Sequence, residues 1–125
     1  VERPHGRLAW ARAGTGMLLL VPPAWLGHLG AMGAGLDPRA PLLAMLAARH
    51  ELLLYDWRGM GLSTGAADFT VDEAVEDALA VMDAAGIARA AVLGISQGGP
   101  TALALAARHP GRVSRLVLMG TFASG

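Results

Sequence analysis

The sequence predicts an α/β fold, with a mostly parallel sheet, helices on both of its faces and one antiparallel strand at its N-terminal edge. Three observations carry that expectation. From Met17 onward, short runs that are apolar throughout alternate with segments of helical periodicity. The connections are short and each pair of runs is separated by a helix, which requires parallel strands joined by right-handed crossovers. Ahead of the first run, Arg7-Leu8-Ala9-Trp10-Ala11-Arg12 alternates polar and apolar with period two, the pattern of a strand open to solvent on one face.

Each element follows from its residues. Met17-Leu18-Leu19-Leu20-Val21 is stopped by Pro22 and Pro23 and reads as a strand buried on both faces. Asp37 as N-cap and Pro38 in the first helical position open a helix whose Leu42, Leu43, Leu46 and Ala47 recur at helical spacing up to Arg49. Leu52 to Asp56 is the second buried strand, followed by the glycine-rich turn Arg58-Gly59-Met60-Gly61. Thr70 and Glu73 form a capping-box pair before the clearest helix. Val71, Ala74, Val75, Ala78, Leu79 and Met82 define its apolar face, with Asp72, Glu73, Glu76, Asp77 and Asp83 mainly on the solvated side. Gly86 closes it as the residue after the C-cap. Ala90 to Ile95 is the third strand, Gln97 to His109 a nearly all-apolar helix that tolerates Pro100 in its first turn, and Val113 to Met119 the fourth strand. Burial is expected to be highest at Leu19, Leu53, Leu93 and Leu103. The sequence stops directly after a strand, without a helix to cover it, so residues 1–125 are expected to be the N-terminal part of one domain. The uncovered strand edge would then favour self-association.

Composition narrows the function classes. Ten arginines, no lysine and ten acidic residues leave no formal net charge, and the arginines are spread from Arg3 to Arg115. Nucleic-acid binding through phosphates needs a basic face, so nucleic acid is not an expected partner. An apolar share of 54% against 16% charged residues excludes a disordered chain. The longest apolar stretch, Met17 to Gly27, is split by prolines and is well short of the roughly 20 residues that span a bilayer. Neither a membrane nor, from the Val1-Glu2-Arg3-Pro4-His5 start, a secretory signal is indicated. With no cysteine, a cytoplasmic location is expected and a thiolate metal site is impossible. His50-Glu51 lacks the second histidine of a zinc-protease helix. A Walker loop needs the lysine that the chain does not contain, and Gly94-x-Ser96-x-x-Gly99 lacks the middle glycine of a dinucleotide loop. Neither a metal nor a cofactor is expected.

The decisive segment is Gly94-Ile95-Ser96-Gln97-Gly98-Gly99, a Gly-x-Ser-x-Gly motif at a strand-to-helix junction. A serine on such a turn is pushed out beyond the sheet. Its neighbours two before and two after must be small to let strand and helix pass. The amides that follow it sit at the positive end of a helix, facing any oxyanion that forms.

Together with Tyr55-Asp56-Trp57-Arg58-Gly59-Met60-Gly61-Leu62-Ser63, which looks like a D-x-R-G-x-G-x-S segment after a central strand, this motif resembles the α/β-hydrolase fold over essentially the whole chain. Pro22-Pro23-Ala24-Trp25-Leu26-Gly27-His28 occupies the oxyanion-loop position but departs from the usual His-Gly start. It is similar to bacterial hydrolase domains that occur alone or fused to nucleotide cyclases or helix-turn-helix regulators. The resemblance implies Ser96 as nucleophile, with an oxyanion hole made by the Gln97 amide and one from the loop. Pro22 and Pro23 have no N–H, so the loop donor is Ala24 or Trp25. Asp56 and Arg58 are expected to fix the turn at Gly59 and Gly61 rather than to react. The substrate would be a small acyl compound.

The family's triad runs Ser, then Asp or Glu, then His. After Ser96 there is no acidic residue, and the only histidine is His109, at the wrong end of the helix. His28, in the loop, is a less favoured base, and His5 and His50 read as surface or strand-edge residues. Acid and base are therefore expected downstream, leaving this fragment inactive. Two alternatives stay open: a non-catalytic ligand-binding or regulatory module that keeps the turn as architecture, and a cofactor-free perhydrolase or haloperoxidase in which peroxide attacks the acyl-enzyme.

Overall fold

The computed structural model describes residues 1–4, 6–24, 29, 39–65 and 70–122. Its strands are β1 (Glu2–Arg3), β2 (Gly6–Arg7), β3 (Trp10–Gly14), β4 (Met17–Val21), β5 (His50–Tyr55), β6 (Ala90–Ile95) and β7 (Val113–Met119). Its helices are α1 (Ala40–Ala47), α2 (Val71–Ala84) and α3 (Gly98–Arg108). Five strands form one sheet in the order β3-β5-β4-β6-β7, parallel except for β3, which runs antiparallel to β5 along the edge. The Met17 strand lies between the strand that follows it and the strand that ends just before the serine.

The apolar runs are continuous because alternate residues enter two different cores. Leu20, Leu53, Tyr55 and Val92 face α2 and α3, packing with Val75, Ala78, Met82, Ala102 and Leu105. Leu19, Val21, Leu52, Leu54 and Leu93 face α1 and its Leu43. Period-two alternation is thus present but invisible in the sequence, since both faces are apolar.

Several expectations are corrected. The N-terminal strand is not Arg7–Arg12. The chain breaks at Leu8, which turns into the core, 1% exposed, and bonds through its backbone to Val1. Arg7 instead pairs with Glu2 in a two-stranded hairpin, and the edge strand begins at Trp10. The second buried strand starts at His50 and ends before Asp56. Asp37 and Pro38 lie outside the described residues. The helix they were expected to open starts at Ala40, with Arg39 in the cap position and Pro41 in its first turn. In α2, Val71 is exposed and Val81 is buried in its place. Asp77 is buried at 6% exposure instead of solvated, because the Arg58 guanidinium lies against it, Nη2 to Oδ1 2.5 Å. In α3 the buried positions are Gly98, Gly99, Thr101, Ala102 and Leu105, so Leu105 is its buried leucine, while Leu103 is half-buried.

The expected helix ends do form. Thr70 Oγ1 accepts from the Glu73 amide at 3.2 Å. At the other end of α2, Gly86 takes φ 72° while its N–H bonds to Asp83 O and that of Ile87 to Met82 O, a Schellman closure.

Candidate active site

The crossing from β4 through α1 to β5 goes one way along the sheet, and the crossing through α2 to β6 returns to the other side of β4. That reversal makes the carboxyl ends of β4 and β6 a topological switch point, the place where open α/β sheets bind ligands. The segments leaving those two strands are Pro22–Ala24 and Ser96–Gln97.

Ser96 has φ 51°, the one positive value among the described non-glycine residues. A side chain in that left-handed region costs on the order of 1–3 kcal/mol and persists only where the surroundings impose it. Here the backbone is held from both sides. The Ser96 N–H donates to Met119 O at 3.1 Å, and its carbonyl accepts from the Gly99 N–H at 3.1 Å and from the Thr121 hydroxyl. The side chain is left exposed at the end of β6.

The two motif glycines are needed where strand, helix and loop converge. A Cβ on Gly94 would lie 2.8 Å from Gly99 Cα and 2.9 Å from Ala102 Cβ, so a larger residue would drive β6 and α3 apart. A Cβ on Gly98 would stand 2.9 Å from the Pro22 carbonyl oxygen, which shows how closely the loop after β4 lies on the start of α3. Gly99 is pressed by the Thr121 side chain. Thr121 was not singled out from sequence. The available signal was the parallel register: Ile95 pairs with Met119, which carries residues 120–121 alongside Ser96 and Gln97.

Gln97 is half-buried at the N-cap of α3 in helical geometry, φ −69° and ψ −14°. Ala24 is half-buried in the loop opposite. Trp25 and His28 lie outside the described residues, as does His5. The two described histidines are remote from Ser96. His50 starts β5, at the other end of the sheet, with Nδ1 3.1 Å from Leu46 O. His109 caps the far end of α3, about 16 Å along the helix axis at 1.5 Å per residue. Among the described residues no group of three or more His, Cys, Asp or Glu is placed to hold a metal, and no helix is long and apolar enough to cross a membrane.

Asp56 and Arg58 sit in the turn after β5, and neither reaches Ser96. Asp56 is 1% exposed. Its Oδ2 accepts from the Leu62 N–H at 2.8 Å, across the turn in which Gly59 and Gly61 take positive φ. Its Oδ1 accepts from the Leu29 N–H at 2.7 Å, and its carbonyl from the Ser63 hydroxyl at 2.9 Å. Arg58, by contrast, braces the turn against α2 through Asp77 and Glu73, with Arg3 reaching Asp77 from the N-terminal hairpin.

This arrangement has relatives. The chain is 36% identical over 118 residues, 92% of its length, to a Caulobacter segnis protein provisionally named carbamate hydrolase RutD, of which it covers 40%. It is 52% identical over 74 residues, 58% of its length, to a 2-hydroxymuconate semialdehyde hydrolase of Pseudomonas putida, covering 26% of that protein. Among solved structures, the enol-lactonase of Burkholderia xenovorans LB400 superposes with a TM-score of 0.78 at 32% identity, over 93% of this chain and 44% of that one. The chain therefore spans less than half the length of these named hydrolases. The family profile described as the alpha/beta hydrolase fold matches residues 18–125, and the chain belongs to the α/β-hydrolase fold family.

Proposed function

We propose that this chain carries the nucleophile of a serine hydrolase that acts on an ester, thioester or amide carbonyl. The observation that carries this reading is the left-handed, doubly held Ser96 at the carboxyl end of β6, exposed at the sheet's switch point. In the proposed reaction Ser96 Oγ adds to the carbonyl carbon as its proton passes to a general base. The oxyanion is held by the Gln97 N–H and by that of Ala24 or Trp25. Collapse expels the alcohol, thiol or amine, which takes up the proton, and leaves an ester on Ser96. Water then adds to that ester and releases the acid. Two of the relatives bear the names of carbonyl substrates, the protein provisionally named a carbamate hydrolase and the enol-lactonase, which supports an acyl substrate.

The general base is not supplied by His50 or His109. On this reading the 125-residue chain alone turns over activated esters at close to background, because oxyanion donors without an activated nucleophile leave only residual catalysis. The test is p-nitrophenyl acetate hydrolysis and fluorophosphonate labelling of the purified, folded chain beside Ser96→Ala, His28→Ala and His109→Ala. Slow labelling confined to Ser96, with equal low turnover in all four proteins, is the expected result. Rapid turnover that depends on Ser96 and disappears in His28→Ala would make His28 the base and overturn the reading of an incomplete triad. Labelling elsewhere than Ser96 would overturn the nucleophile itself.

A further inference from the structure

We propose that Asp56 is a positioning residue for the oxyanion loop: its carboxylate anchors the far end of the segment that carries the second oxyanion donor. Two contacts define that segment. At its near end the Pro22 carbonyl lies against the start of α3, where a Gly98 Cβ would come within 2.9 Å of it. At its far end the Leu29 N–H donates to Asp56 Oδ1 at 2.7 Å. In the sequence, the two candidate donors fall between these contacts, and the described one, Ala24, is half-buried two residues after Pro22.

The loop needs such an anchor because Pro22 and Pro23 have no N–H, so its first two residues cannot be held by backbone donors of their own. A carboxylate, and not an amide, suits the position. Asp56 faces two backbone donors from separate segments, Leu29 on one oxygen and Leu62 on the other. Asparagine would present one acceptor and turn an NH2 group toward the second donor. Arg58 does not compete for this carboxylate, since its guanidinium lies against Asp77 and Glu73. Asp56 is bound to the frame on its own backbone too: its N–H donates to Ala9 O at 3.0 Å and its carbonyl accepts from Ser63 Oγ. Leu29 is therefore tied to β5 and the edge of the sheet, while Ser96 takes its position from β6 and β7.

The catalytic consequence rests on the nucleophile reading of Ser96; the anchoring does not, and the experiment separates them. In the wild-type chain the Leu29 amide should exchange slowly and resonate downfield, as a donor to a carboxylate does. In Asp56→Asn, the loss of one charge-assisted bond should speed Leu29 exchange by about 10–100-fold. The Ala24 amide should shift while that of Gln97 stays in place. The maximal rate of fluorophosphonate labelling at Ser96 should fall by about tenfold, with the half-saturating reagent concentration unchanged, because a displaced oxyanion donor weakens the transition state only. Val81→Ala, at a buried position of α2 that packs in the other core from Leu29, supplies a destabilised control in which none of these signals moves.

An Ala24 amide and a labelling rate that respond alike in Asp56→Asn and Val81→Ala would reduce Asp56 to a turn residue and overturn the proposal. So would a freely exchanging Leu29 amide in the wild-type chain, a measurement that holds even where Asp56→Asn fails to fold. Absence of wild-type labelling would count against Ser96 alone, and the Leu29 and Ala24 amides would then decide the anchor.

Discussion

The two faces of the sheet are made from the same strands and the same kinds of residue, yet one is closed and the other is open. Toward α2 and α3, Leu20, Met82, Val92 and Leu105 are 0% exposed. Toward α1, Leu19 and Leu93 keep 6%, and at the margin Met17 and Val117 reach 65% and 54%. An open apolar groove of about 250 Å³ runs between α1 and β7, lined by Met17, Leu46, Leu93 and Val117 among others. Among the described residues, two helices cover the first face, whereas α1, packed mainly on β5, and Leu29 lie on the second. A strand that is apolar throughout thus reports that both of its faces want burial, but says nothing of which face is covered. Removing a side chain tests the difference directly.

The closed face contains the largest expected effect. Arg58 and Asp77 are buried there, with side chains 3% and 8% exposed, so removing Asp77 breaks its pairs with both Arg58 and Arg3 and leaves the buried guanidinium facing only the more exposed Glu73. Asp77→Ala is expected to cost about 3–5 kcal/mol in urea denaturation, and a loss below 1 kcal/mol would show that water reaches Arg58 and that the face is less closed than its contacts indicate.

A pair of leucines gives the cleaner contrast. Leu105→Ala opens a cavity under α3 and is expected to cost about 2–5 kcal/mol, the transfer term plus the cavity term. Leu93→Ala removes a side chain that already borders the groove, so the cavity term is small and about 1–2 kcal/mol of transfer energy remains. Equal losses at the two positions would mean that the groove closes in solution and that the faces are equivalent.

At the open margin the effect moves from folding to association. Among the described residues no strand pairs with the outer side of β7, where Val117, Leu118 and Met119 are all exposed. Such an edge is a template for a second chain, and a lysine on it is an effective block. Val117→Lys should weaken self-association about tenfold or more by sedimentation while changing monomer stability by less than about 0.5 kcal/mol. A wild-type chain that stays monomeric at high concentration would remove the edge as an interaction surface.

The same contrast explains what could be read from the residues alone. The four apolar strands and α2 were legible because apolar runs and a capping pair are local signals, and Ser96 because its glycines are required by a local crossing, whereas the N-terminal hairpin and the break at Leu8 were not. The phase of α3 was not: Ala102 to Ala107 carries no polar residue to mark a solvent side, so tertiary contact alone makes Leu105 rather than Leu103 the buried leucine. Nor was the burial of Asp77, which depends on a partner nineteen positions away in a turn. The Asp56–Leu29 bond joins two loops whose meeting follows only from the adjacency of β4 and β5. The residues alone assign no base to Ser96: no acid follows it in the sequence, and the described His50 and His109 both lie at the end of the sheet away from it.

The smallest effect probes how dry the closed face is. Tyr55, the single tyrosine of the chain, is 4% exposed there, and its hydroxyl has no hydrogen-bond partner among the described residues. Burial, and after it the negative charge of Asp77, push its phenol well above the ordinary range. The folded chain therefore keeps this proton while the unfolded chain releases it near pH 10, so the unfolded state binds fewer protons above that pH. The stabilising contribution is complete below about pH 10 and is lost as the pH rises toward the folded value. Tyr55→Phe should flatten that alkaline decline. At pH 7 it should be neutral or stabilising by up to about 1 kcal/mol, because it removes an unpaired hydroxyl from an apolar site. With one tyrosine, phenolate absorbance reads this group directly, and it should appear only together with the loss of the circular dichroism signal. Phenolate formed near pH 10 in a chain that is still folded would show that water reaches the hydroxyl, and would place Tyr55 on a face as open as the one that holds Val117.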